Sequence, residues 1–336
     1  MTTASGAPAT AVLLRRAGRA TVAHVQTWRP YTTCYPALLG LAGAVVAGGT
    51  GAAVLLVAAV APALGWLSGH YLGDYFDRGL DAIGKPHRPI PSGRLSAEAA
   101  LGGGLACAAA SAVLLVTANW RIVPLFAVAM AGIVGYSKVF KKRGLAGNAS
   151  RGFLTALALT IGAMVAAPWP PWALLPVAAG FLLHDTASNL VGTLRDVDGD
   201  RAGGYRSVPV ERGFRHAVRL ALGLYAAGVV LIALGSVIAD DWLAQVVLTA
   251  VAAAIGAAAF LPLPRRDSVP ARTALRAHEL LVAERLVLAA AVVAGAAGAR
   301  FALALAAPVL AFSLVTQALM RSRHEFPAPA GREDTA

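Results

Sequence analysis

Ten long apolar stretches dominate the chain, at about 30–49, 52–73, 96–118, 122–140, 152–168, 173–194, 216–238, 243–262, 280–298 and 301–320, with polar connections between them. About 20 apolar residues cross a bilayer as one helix. The pattern therefore predicts an all-α, polytopic membrane helix bundle of nine to ten transmembrane helices, the last two stretches being two helices or one broken pair. The stretches are rich in Ala and Gly, which lets helices approach closely. Residues 1–24 read as an N-terminal segment, 25–321 as the transmembrane domain, and 322–336 as a tail predicted to be disordered.

Composition strengthens this reading. Of the 336 residues 57% are hydrophobic and only 14% charged, and mean hydropathy is +0.65. Soluble domains carry about 25% charged residues. The N-terminus lacks the order charged, apolar, cleavage site of a secretory signal. Cys34 and Cys107 fall in different apolar stretches and read as small buried residues rather than a disulfide.

The net charge of +12 is a topology signal. Alternate connections and the two termini, together with Arg219 and Arg285 just inside adjacent helices, hold 27 of the 29 Lys and Arg; the other set holds only Arg121 and Arg300. This positive-inside pattern places both termini and every long loop in the cytoplasm and excludes nucleic acid as the reason for the charge. The opposite connections carry Trp120, Trp169, Trp172 and Trp242, as interfacial anchors do. A multi-pass protein of a bacterial inner membrane is the expected location; abundant Arg and Ala hint at a GC-rich bacterial genome.

Two acidic clusters close helices on that cytoplasmic side. Asp74, Asp77 and Asp81 are spaced +3 and +4 and share one helical face, which His70 extends by a turn. Lys85, His87 and Arg88 follow. The second cluster, in TLRDVDGDRAGGYRSVP, places Asp196 and Asp200 four apart with Arg201 and Arg206 beyond. A single acidic helix end is ordinary solvated surface. Two, each followed by cations on one side of the membrane, suit a metal-chelated diphosphate. Mg²⁺ takes one or two carboxylates and completes its shell with water and phosphate oxygens, while Lys and Arg hold the remaining phosphate oxygens.

These residues resemble the UbiA superfamily of intramembrane prenyltransferases. The family's N-D-x-x-D-x-x-x-D motif is matched by Gly73, Asp74, Asp77 and Asp81, and its K-P-x-R-P-I-P-S-G segment by Lys85 to Gly93. Its Tyr/Lys loop is matched by YSKVFKKRGLAGN from Tyr136 to Asn148, and its D-x-x-x-D motif by Asp196, Asp200, Arg201 and Gly204. Arg29-Pro30-Tyr31 also fits. The resemblance covers roughly 25–215. The chain departs from it at Gly73, where the family has Asn, and in a count of ten apolar stretches where nine are common.

The resemblance implies a helix bundle around an intramembrane cavity and a Mg²⁺-dependent transfer of a prenyl group from a polyprenyl diphosphate to an aromatic, quinone-precursor or lipid acceptor. Asp74, Asp77, Asp81, Asp196 and Asp200 would be the catalytic, metal-holding residues. Lys85, Arg88, Tyr136, Lys142 and Arg201 would bind diphosphate. Ionisable groups inside a span default to a functional hypothesis, so His70, Asp185 and Asn189 are candidates for the acceptor site or cavity wall. His184, Asp185 and Tyr71 read equally well as helix-packing groups. Two other classes stay open: an intramembrane terpene cyclase on the same fold, and a transporter, for which internal repeats are not evident. Chain length of the donor, identity of the acceptor and oligomeric state are not legible.

Overall fold

The computed structural model describes residues 9–263 and 267–326. The tail expected at 322–336 thus falls partly outside the described residues, as do residues 1–8 of the N-terminal segment. The described chain is built from helices, in the order α1 (Ala9–Trp28), α2 (Pro30–Val46), α3 (Ala52–Gly84), α4 (Ala97–Ala118), α5 (Val123–Lys138), α6 (Leu145–Ala166), α7 (Leu174–Thr193), α8 (Val197–Ala202), α9 (Val208–Arg212), α10 (Phe214–Leu234), α11 (Trp242–Phe260), α12 (Ala271–Ala297), α13 (Ala299–Thr316) and α14 (Ser322–Glu325).

Each of the ten apolar stretches is helical. Nine helices among the described residues are long and apolar enough to cross a membrane; α2, with 17 residues, is the short tenth. The last two stretches are separate helices, parted at Gly298, whose φ of +86° lies in the left-handed region that glycine enters without steric cost. Burial sorts the helices. In α12 and α7, 78% and 61% of the apolar window is buried, against 11% for Trp120–Lys138. The first two therefore form the inside of the bundle, and the third faces outward, where lipid covers it.

Small residues set the closest approaches. A Cβ at Gly40 of α2 would lie 2.0 Å from the Ala58 carbonyl oxygen of α3, and one at Gly162 of α6 would lie 2.0 Å from the Gly40 carbonyl oxygen. Backbone meets backbone there, the mode of helix packing that dispersion favours in lipid.

The inner helices also share a polar network. His184 and Glu284 meet at 2.6 Å, Arg285 and Asp185 at 3.4 Å, and the Tyr225 hydroxyl donates to Glu284 at 3.3 Å. Thr155 of α6 donates to Asp185. His184 and Asp185 thus tie α7 to α6, α10 and α12. Glu284 and Arg285, buried within an otherwise apolar stretch, are the partners the sequence reading left unassigned; an adjacent acid and base inside a span is the signal that marks them. At the opposite end of the bundle from the long connections, Trp120, Trp169, Trp172 and Trp242 are all exposed.

Candidate active site

At 33 residues α3 is about 50 Å long at 1.5 Å per residue, well beyond a hydrocarbon core of about 30 Å. Its last turns emerge from the bundle, and the +3 and +4 spacing puts Asp74, Asp77 and Asp81 on one wall of a basin. Beyond Gly84 the chain folds back in tight turns, with Arg88 N–H donating to Lys85 O at 3.0 Å and Ser92 N–H to Arg88 O at 3.0 Å. This return brings the Arg88 guanidinium to both oxygens of Asp81, at 3.0 and 2.9 Å. Lys141 reaches Asp77 at 2.6 Å. Arg29 pairs with Asp74; it sits between α1 and α2 with φ +48°, the sole non-glycine positive φ among the described residues. Such a conformation costs on the order of 1–3 kcal/mol and collects at functional sites.

The second acidic motif is not the end of one continuous helix. After α7 the backbone tightens into i→i+3 bonds, from Leu194 N–H to Val191 O, Arg195 N–H to Gly192 O and Asp196 N–H to Thr193 O. The chain turns, and Asp196 precedes the first residue of the short α8, which carries Asp200. Arg195 and Lys85 reach Asp196 at 2.7 and 3.5 Å. Burial alone would raise the Asp196 carboxyl; Arg195 and Lys85 outweigh it and hold the group below the usual carboxylate range. Asp200 has no ion pair among the described residues, and burial, reinforced by the Asp196 charge, pushes it above that range. Burial works against the Lys141 ammonium, yet Asp77 holds it above the ordinary lysine value.

The basin has a volume of about 490 Å³, and all five aspartates, Lys85, Arg88, Tyr136, His70 and Asn189 line it. Three other expected residues do not. Lys142 is exposed and lies 5.4 Å from the Tyr205 ring. Residues 140–142 form a 3₁₀ turn, in which neighbours point about 120° apart, so Lys141 faces the basin and Lys142 does not. Arg201 is exposed and pairs with Asp198 at 3.6 Å; Arg195 lines the basin instead. Asp185 belongs to the buried network. Of the other candidates, Tyr71 is held by His24 and Trp28 of α1, each at 2.6 Å. The His70 ring lies 2.8 Å from the Trp28 carbonyl, and the Asn148 and Asn189 amides meet at 2.8 Å.

Two further residues enter the site. Arg151, in the second turn of α6, packs over the Trp66 and Tyr136 rings at 4.6 and 5.5 Å and makes no ion pair among the described residues. It lines both the basin and an apolar cavity of about 60 Å³ that continues past Trp66, Met130 and Phe126. Glu325 of α14 enters the basin from the C-terminal side. The sequence offers no periodicity that would place it there; it lies in the stretch read as a tail.

The carboxylate set fits a hard divalent cation. One oxygen of Asp74, Oδ2, is buried without a hydrogen-bond partner, and Asp200 is unpaired. The five aspartates line one basin, though no three His, Cys, Asp or Glu among the described residues lie close enough to hold a metal by themselves; Mg²⁺ takes one or two carboxylates and fills its shell with water and phosphate. A cation bound there would release Arg29, Lys141, Arg88 and Arg195 from their aspartates toward an anion.

The chain is similar to known proteins in sequence and in fold. The digeranylgeranylglyceryl phosphate synthase of Natronomonas pharaonis is 33% identical over 211 residues, covering 61% of this chain and 74% of that protein. A UbiA homologue from Aeropyrum pernix superposes with a TM-score of 0.66 at 18% identity, covering 78% of this chain and 96% of that one. A UbiA homologue from Archaeoglobus fulgidus bound to GPP and Mg²⁺ gives 0.62 at 15% identity, covering 88% and 99%. The model of the UbiA prenyltransferase family matches residues 33–281, so the chain, a multi-pass membrane protein, belongs to that family of prenyltransferases.

Proposed function

We propose that the protein transfers a prenyl group from a prenyl diphosphate to a lipid acceptor carrying a phosphate, in the presence of Mg²⁺. The observation that carries this is the basin itself: two acid motifs line it, each carboxylate but Asp200 already held by a cation, and an apolar cavity shares Arg151 and Leu154 with it. When bound, Mg²⁺ would neutralise charge growing on the leaving diphosphate; carboxylates among Asp74, Asp77 and Asp81 would hold one ion, and Asp196 and Asp200 a second. Lys85, Arg88, Lys141 and Arg195 would take the diphosphate oxygens, and preorganised cations stabilise a leaving anion without reorganising. The prenyl tail would lie among Trp66, Met130 and Phe126, away from water that would quench an allylic cation. The acceptor oxygen forms the new C–O bond as the C–O bond to diphosphate breaks, and its proton leaves to solvent at the basin mouth.

Arg151 supports the choice of acceptor. A guanidinium beside a developing allylic cation opposes it, and no carboxylate within ion-pair distance compensates. An acceptor phosphate at Arg151 would. The relatives named digeranylgeranylglyceryl phosphate synthase fit that class. The basin would face the cytoplasm of a bacterial cell, on the positive-inside pattern.

The test is an acceptor panel with detergent-purified protein, geranylgeranyl diphosphate and Mg²⁺. A prenylglyceryl phosphate should be prenylated, its dephosphorylated counterpart and 4-hydroxybenzoate far less. Prenylation of the aromatic acid in preference would reject the lipid acceptor. Terpene hydrocarbon or alcohol formed rapidly without acceptor would reject transfer in favour of cyclisation.

A further inference from the structure

The segment that follows α13 enters the basin. Helix α13 continues through a π-helical turn, Gln317–Arg321, into α14, which delivers Glu325. Its carboxylate meets Lys85 at 2.7 Å, Arg195 at 3.3 Å and Arg88 at 3.5 Å. His324 beside it accepts from Arg29 at 3.0 Å, and its carbonyl receives His87 at 3.1 Å. Glu325 is only 11% exposed at its side chain.

One carboxylate held by three converging cations is the arrangement that a phosphate group requires: charge-assisted contacts from Arg forks and a Lys point charge. Lys85, Arg88 and Arg195 are the cations assigned above to diphosphate. They cannot serve both anions, because a diphosphate on the same three groups would place like charges in one partly desolvated space, where repulsion is strong. The held segment is short, four residues that follow the π-helical turn.

We propose that Ser322–Glu325 is a built-in strap: Glu325 occupies the diphosphate subsite in the substrate-free enzyme and must be displaced for a prenyl diphosphate to bind. This rests on the assignment of the basin to diphosphate. Apparent affinity is the intrinsic affinity reduced by the fraction of competent enzyme, so a strap closed about nine-tenths of the time weakens binding about tenfold.

The experiment is equilibrium binding of inorganic pyrophosphate with Mg²⁺ to the full-length wild type and to Glu325→Gln, which keeps shape and removes charge. The expected result is roughly tenfold tighter binding by the variant. Equal or weaker binding overturns the strap and makes Glu325 a supporting residue of the cation cluster. No binding by either protein overturns both the strap and the diphosphate assignment. Should Glu325→Gln misfold, the wild type still decides. Cleavage after Glu325 by a Glu-specific protease, located by mass spectrometry, should accelerate when pyrophosphate and Mg²⁺ are added. Unchanged or slower cleavage contradicts displacement.

Discussion

At the scale of single residues the basin separates groups that the sequence could not. Lys141 and Lys142 are adjacent in sequence, but in the 3₁₀ turn only Lys141 lines the basin, so unequal roles are expected of them. Lys141→Met should reduce turnover on the order of 100-fold, the scale of losing one preorganised charge contact in a transition state, while Lys142→Met should leave it within about twofold, the margin of an exposed charge far from the chemistry. Steady-state kinetics of the two variants side by side checks this; equal losses would mean the loop moves and the turn geometry is not the working one. Gly73, where the family has Asn, is a second case. A Cβ there would meet only Ser137 Oγ, at 3.9 Å, so packing does not demand glycine. Gly73→Asn should therefore fold with an unchanged melting temperature and retain Mg²⁺-dependent transfer. A marked drop in melting temperature would show that the wall of the basin is tighter than this. What was legible in the residues was charge type and helical spacing: Asp74, Asp77 and Asp81 needed only +3 and +4. What was not legible was which of two neighbouring cations faces in, because a turn, not a repeat, decides it.

At the scale of elements, apolar length located ten of the eleven long helices among the described residues, since a bilayer span is a strong constraint on composition; α1, whose 20 residues include Arg15, Arg16 and Arg19, escaped it. The break between α7 and α8 escaped it. Arg195, Asp196 and Asp198 are polar in either a helix or a turn, so no change of pattern marks the bend. The buried network was half legible: His184 and Asp185 stood out, but their partners lie 100 positions away in α12. Breaking it should harm folding rather than chemistry. Asp185→Leu removes the carboxylate that faces Arg285 and leaves a buried cation, a loss of about 3 kcal/mol by the measure of buried pairs. Thermal unfolding in detergent should show it, with pyrophosphate binding by the surviving folded fraction unchanged. Weakened binding without loss of stability would instead place Asp185 in the basin's chemistry. Gly162→Val tests the backbone approach of α2 and α6 in the same assay: a Cβ 2.0 Å from a carbonyl oxygen forces the helices apart, so the variant should not yield folded protein.

At the scale of the whole molecule, a chain of net charge +12 gathers five acids of its two motifs, and a sixth from its C-terminal helix, into one cation-lined basin. The positive-inside rule explains the excess of cations; it does not explain why Arg29, Lys85, Arg88, Lys141 and Arg195 converge from four separate segments on carboxylates. A divalent ion and a diphosphate entering together would exchange these internal ion pairs for stronger contacts while leaving the basin's charge nearly balanced. On the proposed function, both acid motifs act through Mg²⁺ on one diphosphate. The most direct measurement is Mg²⁺-dependent diphosphate release from geranylgeranyl diphosphate, with a prenylglyceryl phosphate as acceptor, by wild type, Asp77→Ala and Asp196→Ala. Release by the wild type should stop when Mg²⁺ is chelated and should be lost in both variants, each still folded by thermal unfolding. Near-normal Mg²⁺-dependent release by either variant would contradict this.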